Sequence, residues 1–287
     1  MQLAVTADTL NAGVHFPDAT APADIGWKAL AVNLSDLAAM GARPAWCTLA
    51  LSAPALDAAW LDGFLDGFSA LAGEHGIALV GGDTTRGPLS ISITAMGWLP
   101  PDAALRRDGA RVDDDVWVTG TLGDAAAALA RWLAGGEAGL AAVPALRARL
   151  DRPTPRVAAG HALLRLANAA ADVSDGLLAD LGHIAERSRL RLEINALQLP
   201  HLPPGVDPLR AQRCQLAGGD DYELAFTAAP EKRPALATLA ARLDLPLWRI
   251  GWTRALHDTP PGVTVLDADG QPLSLNHTGF DHFAQKT

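Results

Sequence analysis

Gly81-Gly82-Asp83-Thr84-Thr85-Arg86 follows a short apolar run, Ile77 to Val80, and precedes Leu89 to Trp98. In that second segment Leu89, Ile91, Ile93 and Ala95 alternate with Ser90, Ser92, Thr94 and Met96. A period of two predicts a half-buried β-strand, so the hexapeptide reads as a tight loop between strands. Glycines let a backbone come close to a ligand and turn its N–H groups toward an anion. An aspartate in such a loop suits a hard cation, and an arginine suits a phosphate. The same residues also make ordinary turns, where Gly and Asp are common for conformational reasons. Similar aspartate-bearing loops recur along the chain, and that weighs toward a phosphate–metal site.

Working upstream, Met1 to Val5 reads as part of a strand leading into Thr6-Ala7-Asp8-Thr9, with His15 in the loop Asn11 to Pro17. Asp24 to Met40 is a predicted helix. Its Trp27, Leu30, Leu34 and Leu37 recur at three- and four-residue steps and form the stripe to be buried. Asn33 and Asp36, three apart, share an adjacent face. Gly41, with Pro44 just beyond, is a normal helix ending. Trp46 to Ser52 reads as a strand, and Trp60, Phe64, Phe68 and Leu71 mark a second amphipathic helix ending near Gly73 or Gly76. The first region therefore has the order β-α-β-α-β-β. Pro100 to Asp115 is charged, contains proline and reads as the boundary between two domains. Arg106-Arg107 lies in it, and an arginine so placed can clamp a nucleotide across a cleft.

Downstream, Asp115 to Val118 predicts a strand, and Thr119-Gly120-Thr121-Leu122-Gly123-Asp124 leads from it into an Ala-rich helix. Strand, Gly-rich turn and helix N-terminus together can hold an anion, although tight strand–helix packing explains the glycines equally well. No Gly-Lys-Ser/Thr occurs anywhere, so this is not a Walker A loop. Pro155 to Asn168 predicts a helix with Pro in its first turn. If Asp172 to Ser174 is extended, Asp172 and Ser174 face one way. Asp175 can then cap a helix from Gly176 to Arg189. Ala217-Gly218-Gly219-Asp220-Asp221-Tyr222-Glu223-Leu224 again sets glycines and carboxylates before a strand, Glu223 to Thr227. Short strands at Leu247 to Trp252 and Val263 to Leu266 precede the closing Gly279-Phe280-Asp281-His282-Phe283.

Composition narrows the function classes. A chain of 287 residues is long enough for two domains with substantial cores. With 49% hydrophobic and 19% charged residues it has a globular balance. A net charge of −9 argues against non-specific nucleic-acid binding, while clustered aspartates can still meet polyphosphates through Mg²⁺. Cys47 and Cys214 match no zinc spacing, and a reducing cytoplasm is their simplest context. No apolar run reaches transmembrane length and the first residues form no signal peptide, so no membrane association is expected.

Five separated motifs together carry a resemblance: Thr6-Ala7-Asp8-Thr9 with His15, Asn33 to Ala42, Gly81 to Arg86, Asp172 to Leu177, and Gly218 to Leu224. In kind and order they resemble those of thiamine-monophosphate kinases, over almost the whole chain to Phe283. The wider superfamily includes aminoimidazole-ribonucleotide synthetase, selenophosphate synthetase and a hydrogenase-maturation protein. The resemblance implies an α+β fold of two domains, aminoimidazole-ribonucleotide-synthetase-like. Residues 1–110 would form an ATP- and Mg²⁺-binding domain that pairs with its mate into a shared β-barrel, and 111–287 an α/β sandwich. It implies ATP-dependent phosphorylation of thiamine monophosphate to thiamine diphosphate, with several Mg²⁺ ions, in a cytoplasmic homodimer. By position, Thr6, Asp8, Asp36, Asp83, Asp172 and Asp175 match the metal site. Gly82, Asp83, Arg107 and Ser174 match nucleotide contacts, and His15, Asp220 and Phe280 match contacts to thiamine phosphate. No catalytic base is implied, because the acceptor phosphate is already ionised.

Two positions depart from the commoner pattern, Ala7 replacing a hydroxyl residue and Asp220 replacing Glu. The resemblance also implies an upstream segment with a Gly-Asp-Asp motif ahead of the position of Met1. Without it, weaker Mg²⁺ binding, an unpaired strand edge and weak or absent kinase activity are expected. Three alternatives stay open: a sibling acting on another phosphorylated acceptor, a metal-dependent phosphohydrolase, and a non-catalytic thiamine-phosphate-binding module.

Overall fold

The computed structural model describes residues 1–55, 57–200, 206–273 and 279–280. Asp281, His282 and Phe283 lie outside the described residues.

The first half follows the expected order: β1 Gln2–Asn11, α1 Pro22–Ala39, β2 Arg43–Ala53, α2 Ala58–His75, β3 Ala78–Arg86 and β4 Ser90–Leu99. Its sheet runs β1-β4-β2-β3, with β2 and β3 parallel and the other pairs antiparallel. One face carries α1, and α2 packs on α1. Alternation along β4 puts Ile91, Ile93, Ala95 and Leu99 into that core. Among the described residues no layer covers the opposite face, and Leu3, Val5 and Trp46 are exposed there. Asp57 caps α2 by accepting from the Trp60 N–H at 3.2 Å, and Gly76 closes it in the left-handed conformation.

Two segments read as loops are strands. β1 does not stop at Val5 but continues through Thr6-Ala7-Asp8-Thr9, and β3 runs straight through Gly81 to Arg86. Gly, Asp and Thr predicted turns there, but ladder pairing overrides so weak a preference. The two glycines have a local reason. The β2–β3 register shifts at Cys47/Thr48, leaving Val80 as the extra residue of a bulge. Gly82 then adopts φ 149° with its Cα so near Leu49 that a Cβ would lie 1.8 Å from the Leu49 carbonyl oxygen.

The second half contains β5 Asp115–Thr119, α3 Asp124–Ala141, α4 Pro144–Asp151, α5 Val157–Leu163, β6 Ala169–Asp172, α6 Leu177–Ser188 and β7 Arg191–Asn195. There follow α7 Pro208–Ala217, β8 Leu224–Ala228, α8 Arg233–Leu243, β9 Leu247–Arg254 and β10 Gly262–Leu266. The sheet order is β10-β7-β9-β5-β8-β6. β5, β6 and β8 are buried on both faces. Val116 and Val118 meet α6 and α7, while Trp117 and Phe226 meet α5 and α8. In this sheet β7 and β10 pair in parallel, and the other described pairs are antiparallel. Helices flank the sheet as an α/β sandwich predicts, but the pairing is that of an α+β protein. The helix expected from Pro155 to Asn168 is shorter, because the chain turns after Leu163 to enter β6.

α1 is shared by both halves. Leu30, Leu34 and Leu37 are fully buried in the first core, while Ala38 and Ala39 join the second. Leu37→Ala would cost about 2–5 kcal/mol. Across the same helix, the Trp27 indole N–H donates to the Pro153 carbonyl at 3.0 Å and Arg152 pairs with Asp24.

Candidate functional site where the two halves meet

Pairing decides which side chains of β1 look inward. Thr6 lies opposite Ala95 and Asp8 opposite Ile93, both core residues of β4, so Thr6 and Asp8 face α1. There the Thr6 hydroxyl donates to Asp36. On α1, Lys28, Val32 and Asp36 follow one another at steps of four and share a face. From the other half, β6 ends at Asp172, whose carboxylate accepts from the Ser35 hydroxyl at 2.7 Å. Asp8, Asp36, Asp172 and Asp175 thus line one cavity of about 390 Å³ with Ser174, His15, Asp220, Tyr222 and Phe280. A second cavity of about 460 Å³ adjoins it across Asp36 and Asp172, and includes Thr6, Arg107 and Arg187.

Backbone bonds fix the loops around the first cavity. Asp220 N–H donates to Ser174 O at 2.8 Å, Tyr222 N–H to Val173 O at 2.8 Å, and Phe280 N–H to Asp175 O at 2.9 Å. Gly219 permits the approach, since a Cβ on it would stand 2.4 Å from Ser174 O. The turn after β6 is held by Asp180, not by Asp175. Its Oδ2 accepts from the N–H groups of Ser174, Asp175 and Gly176 at 3.0, 3.2 and 3.2 Å. The predicted Asp175 cap is therefore corrected: Gly176 occupies the N-cap, and the Asp175 side chain is left to the cavity.

The carboxylates repel one another in a dry setting. Burial, then the neighbouring Asp36 and Asp175 charges, push Asp8 up to about 6. Burial, then Asp36, pushes Asp172 up to about 8 against the pull of the Ser35 hydroxyl. Burial also raises Asp36, although Thr6 and the Arg107 guanidinium oppose it. An all-oxygen donor set in this condition fits a hard divalent cation, which would relieve both the repulsion and the lost hydration. Among the described residues, no group of three or more His, Cys, Asp or Glu already encloses a metal-sized point.

Gly82 and Asp83 stand apart from this cluster. They lie on β3, the sheet edge opposite β1, about 14 Å away across three strand spacings. Asp83 pairs with Ala50 and is exposed, and neither residue lines either cavity. One chain therefore does not join them to Asp8, Asp36 and Asp172.

Several residues of the site carry no distinctive signal in the sequence. Lys28 is one polar residue within an apolar helix, which periodicity alone does not mark as part of a site. Glu223, fully buried, accepts from Thr119 Oγ1 at 2.6 Å, Arg149 at 2.8 Å and Arg156 at 2.7 Å, and so anchors the loop that carries Asp220. The Gly-rich turn before α3 is already occupied: the Gly123 N–H donates to the chain's own buried Asp221 at 2.8 Å. Asn33 packs inside, its amide donating to Ala29 O at 3.1 Å, and does not reach the cavity with Asp36.

Residues 1–99 match the family AIR synthase related protein, N-terminal domain, and residues 111–259 match its C-terminal domain. The chain is 46% identical over 288 residues to thiamine-monophosphate kinase of Escherichia coli K12, covering 98% of itself and 87% of that relative. It belongs to the thiamine-monophosphate kinase family. A crystal structure of thiamine-monophosphate kinase from Stenotrophomonas maltophilia K279a superposes with a TM-score of 0.89 at 57% identity, over 95% of this chain and 86% of that one. A structure of AaThiL complexed with AMPPCP and TMP superposes with a TM-score of 0.84 at 34% identity, over 98% and 87% respectively. In this kinase family the two-domain α+β fold is thus common ground.

Proposed function

We infer that the protein transfers the γ-phosphoryl group of ATP onto thiamine monophosphate, giving thiamine diphosphate and ADP. The observation that carries this reading is the pair of cavities meeting at Asp36 and Asp172, within a family whose relative AaThiL is complexed with AMPPCP and TMP. Two polyanions must be brought into line, so charge neutralisation and positioning are the main tasks. The acceptor phosphate is ionised near neutral pH, and no protein base is required. We assign the second cavity, with Arg107, to the nucleotide and the first, with His15, Asp220 and Phe280, to the acceptor; Ser174 lines the first cavity, and its nucleotide contact would be made from there. Thr6, Asp8, Asp36, Asp172 and Asp175 would hold Mg²⁺, which when bound supplies charge neutralisation on the phosphates. The Phe280 ring offers a face for a heterocycle, and Arg107 offers planar donors for phosphate oxygens.

We divide the chain at residues 110/111, between the sheet that ends with Leu99 and the one that begins at Asp115. We further propose a homodimer in which a second copy covers the bare face and edge of the first sheet and closes a barrel. Leu3, Val5, Trp46, Leu79 and Val80 are exposed there, and an edge strand as long as β3 is a standing template for pairing. Only through such a copy would Gly82 and Asp83 take up the nucleotide and metal roles assigned to them. The two cysteines are unpaired, in keeping with a cytoplasmic setting.

Purified protein incubated with ATP, Mg²⁺ and thiamine monophosphate should yield thiamine diphosphate and ADP in equal amounts, read by chromatography. Phosphate release without ADP would indicate a phosphohydrolase, and ligand binding without turnover would indicate a binding module.

A further inference from the structure

Lys28 is among the largest fully buried side chains of the described residues, with 1% of its surface exposed. It sits on α1 one turn before Val32 and two before Asp36, on the face turned to the first cavity. Its ammonium group donates to the His15 carbonyl at 3.0 Å and to Asp220 Oδ2 at 3.0 Å. The other Asp220 oxygen accepts from the Tyr222 hydroxyl at 3.0 Å. Asp220 itself is held at φ 68°, a left-handed conformation uncommon for a non-glycine residue.

Burying an ammonium group is costly, and a well-packed apolar side chain would serve stability at least as well. What an apolar side chain cannot do is join these two elements. His15 belongs to the loop after β1, and Asp220 to the loop before β8, so Lys28 bridges the two halves of the molecule beneath the cavity. With Lys28 on one oxygen and Tyr222 on the other, the Asp220 carboxylate has one orientation, and the His15 backbone is fixed relative to it. Lys28 is absent from the cavity wall and touches no ligand space itself.

We propose that Lys28 is a positioning residue for the phosphoryl acceptor, setting the spacing between His15 and Asp220 so that the acceptor is gripped from both halves at once. This rests on the assignment of the first cavity to the acceptor.

The test compares Lys28→Met, Asp220→Asn and the double variant by steady-state kinetics in each substrate. Lys28→Met should raise the acceptor KM about tenfold while the ATP KM moves less than twofold, the scale of one lost charge-assisted hydrogen bond. The double variant should match Asp220→Asn, because Lys28 acts through that carboxylate. The double variant also leaves no unpaired charge, so it keeps the comparison open if Lys28→Met alone fails to fold. Equal changes in both KM values, or a lowered Tm with both unchanged, would reduce Lys28 to a structural residue. Multiplying effects in the double variant would show that it does not act through Asp220. If Asp220→Asn leaves the acceptor KM unmoved, the acceptor-site assignment falls first and the Lys28 proposal falls with it. A shifted Asp220→Asn with a silent Lys28→Met would overturn the Lys28 proposal alone.

Discussion

The two edges of the first sheet carry chemically similar segments, Thr6-Ala7-Asp8-Thr9 on β1 and Gly81-Gly82-Asp83-Thr84 on β3, yet they meet opposite surroundings. Asp8 turns toward α1, is half-buried and has its carboxyl pushed up by burial and by Asp36. Asp83 sits on a strand exposed along its whole length and accepts from the next residue's N–H at 2.9 Å. Pairing register explains the difference. Asp8 stands opposite the core residue Ile93, whereas Asp83 stands opposite the exposed Ala50. A carboxylate's residue type and neighbours say what it can bind, but which carboxylates share a site is settled by the pleat and by strand order.

The largest effects should come from removing carboxylates on either edge of that comparison. Asp172→Asn, at the junction of the two cavities, should lower kcat by about 10³-fold with the Tm little changed, as loss of transition-state charge stabilisation predicts. Asp83→Asn should do the same if the second copy supplies it. An Asp172→Asn variant with wild-type turnover at saturating Mg²⁺ would remove the metal assignment.

Mixing these two variants sharpens the comparison. In an isologous dimer whose sites each take Asp172 from one chain and Asp83 from the other, a mixed dimer has one site with both residues intact. Co-expression of Asp83→Asn with Asp172→Asn should then restore about a quarter of wild-type turnover, half the dimers being mixed and half their sites whole. No recovery in a preparation shown to contain mixed dimers would place both residues in the same chain's site, whereas about half of wild-type turnover would leave Asp83 without a role.

How far the sequence foretold this arrangement differs by element. α1 was legible from Leu30, Leu34 and Leu37, and all three are fully buried. Its polar residues were not, because a periodicity argument allots them to solvent. Here α1 is wrapped by the sheet, by α2 and by the second half, so Lys28, Asn33 and Ser35 are buried too. The motif Asp172 to Leu177 marks the turn after β6, but the side chain that holds that turn is Asp180 and not Asp175, because it reaches back along α6 as an acidic residue in a first turn can. β3 misled most. Its composition argued for a loop, and nothing local announces that a bulge at Val80 and a ladder to β2 would draw it straight.

A smaller effect is expected at the acceptor end. Phe280 is half-exposed at the rim of the first cavity, fastened through its N–H to Asp175. Phe280→Ala should raise the acceptor KM about fivefold, the scale of roughly 1 kcal/mol for a lost aromatic contact, with the ATP KM nearly constant. Equal shifts in both constants would make Phe280 a support for the Asp175 turn that both substrates feel.

The smallest effect tests the bare edge directly. Val80 is 59% exposed in the single chain, so Val80→Ser should change the stability of a lone chain by less than about 0.5 kcal/mol. If a second copy covers β3, the same methyl groups are buried in the dimer, and their loss should cost about 1 kcal/mol per chain. Mass action separates the two cases. The Tm of a dimer rises with protein concentration, and Val80→Ser should lower it most where the wild type is a dimer and least where dilution favours the single chain. Thermal unfolding across a hundredfold range of concentration, beside sedimentation at each end of that range, reads both quantities. A concentration-independent Tm, with Val80→Ser indistinguishable from wild type throughout, would mean that β3 faces solvent, and that Asp83 has no second copy to serve.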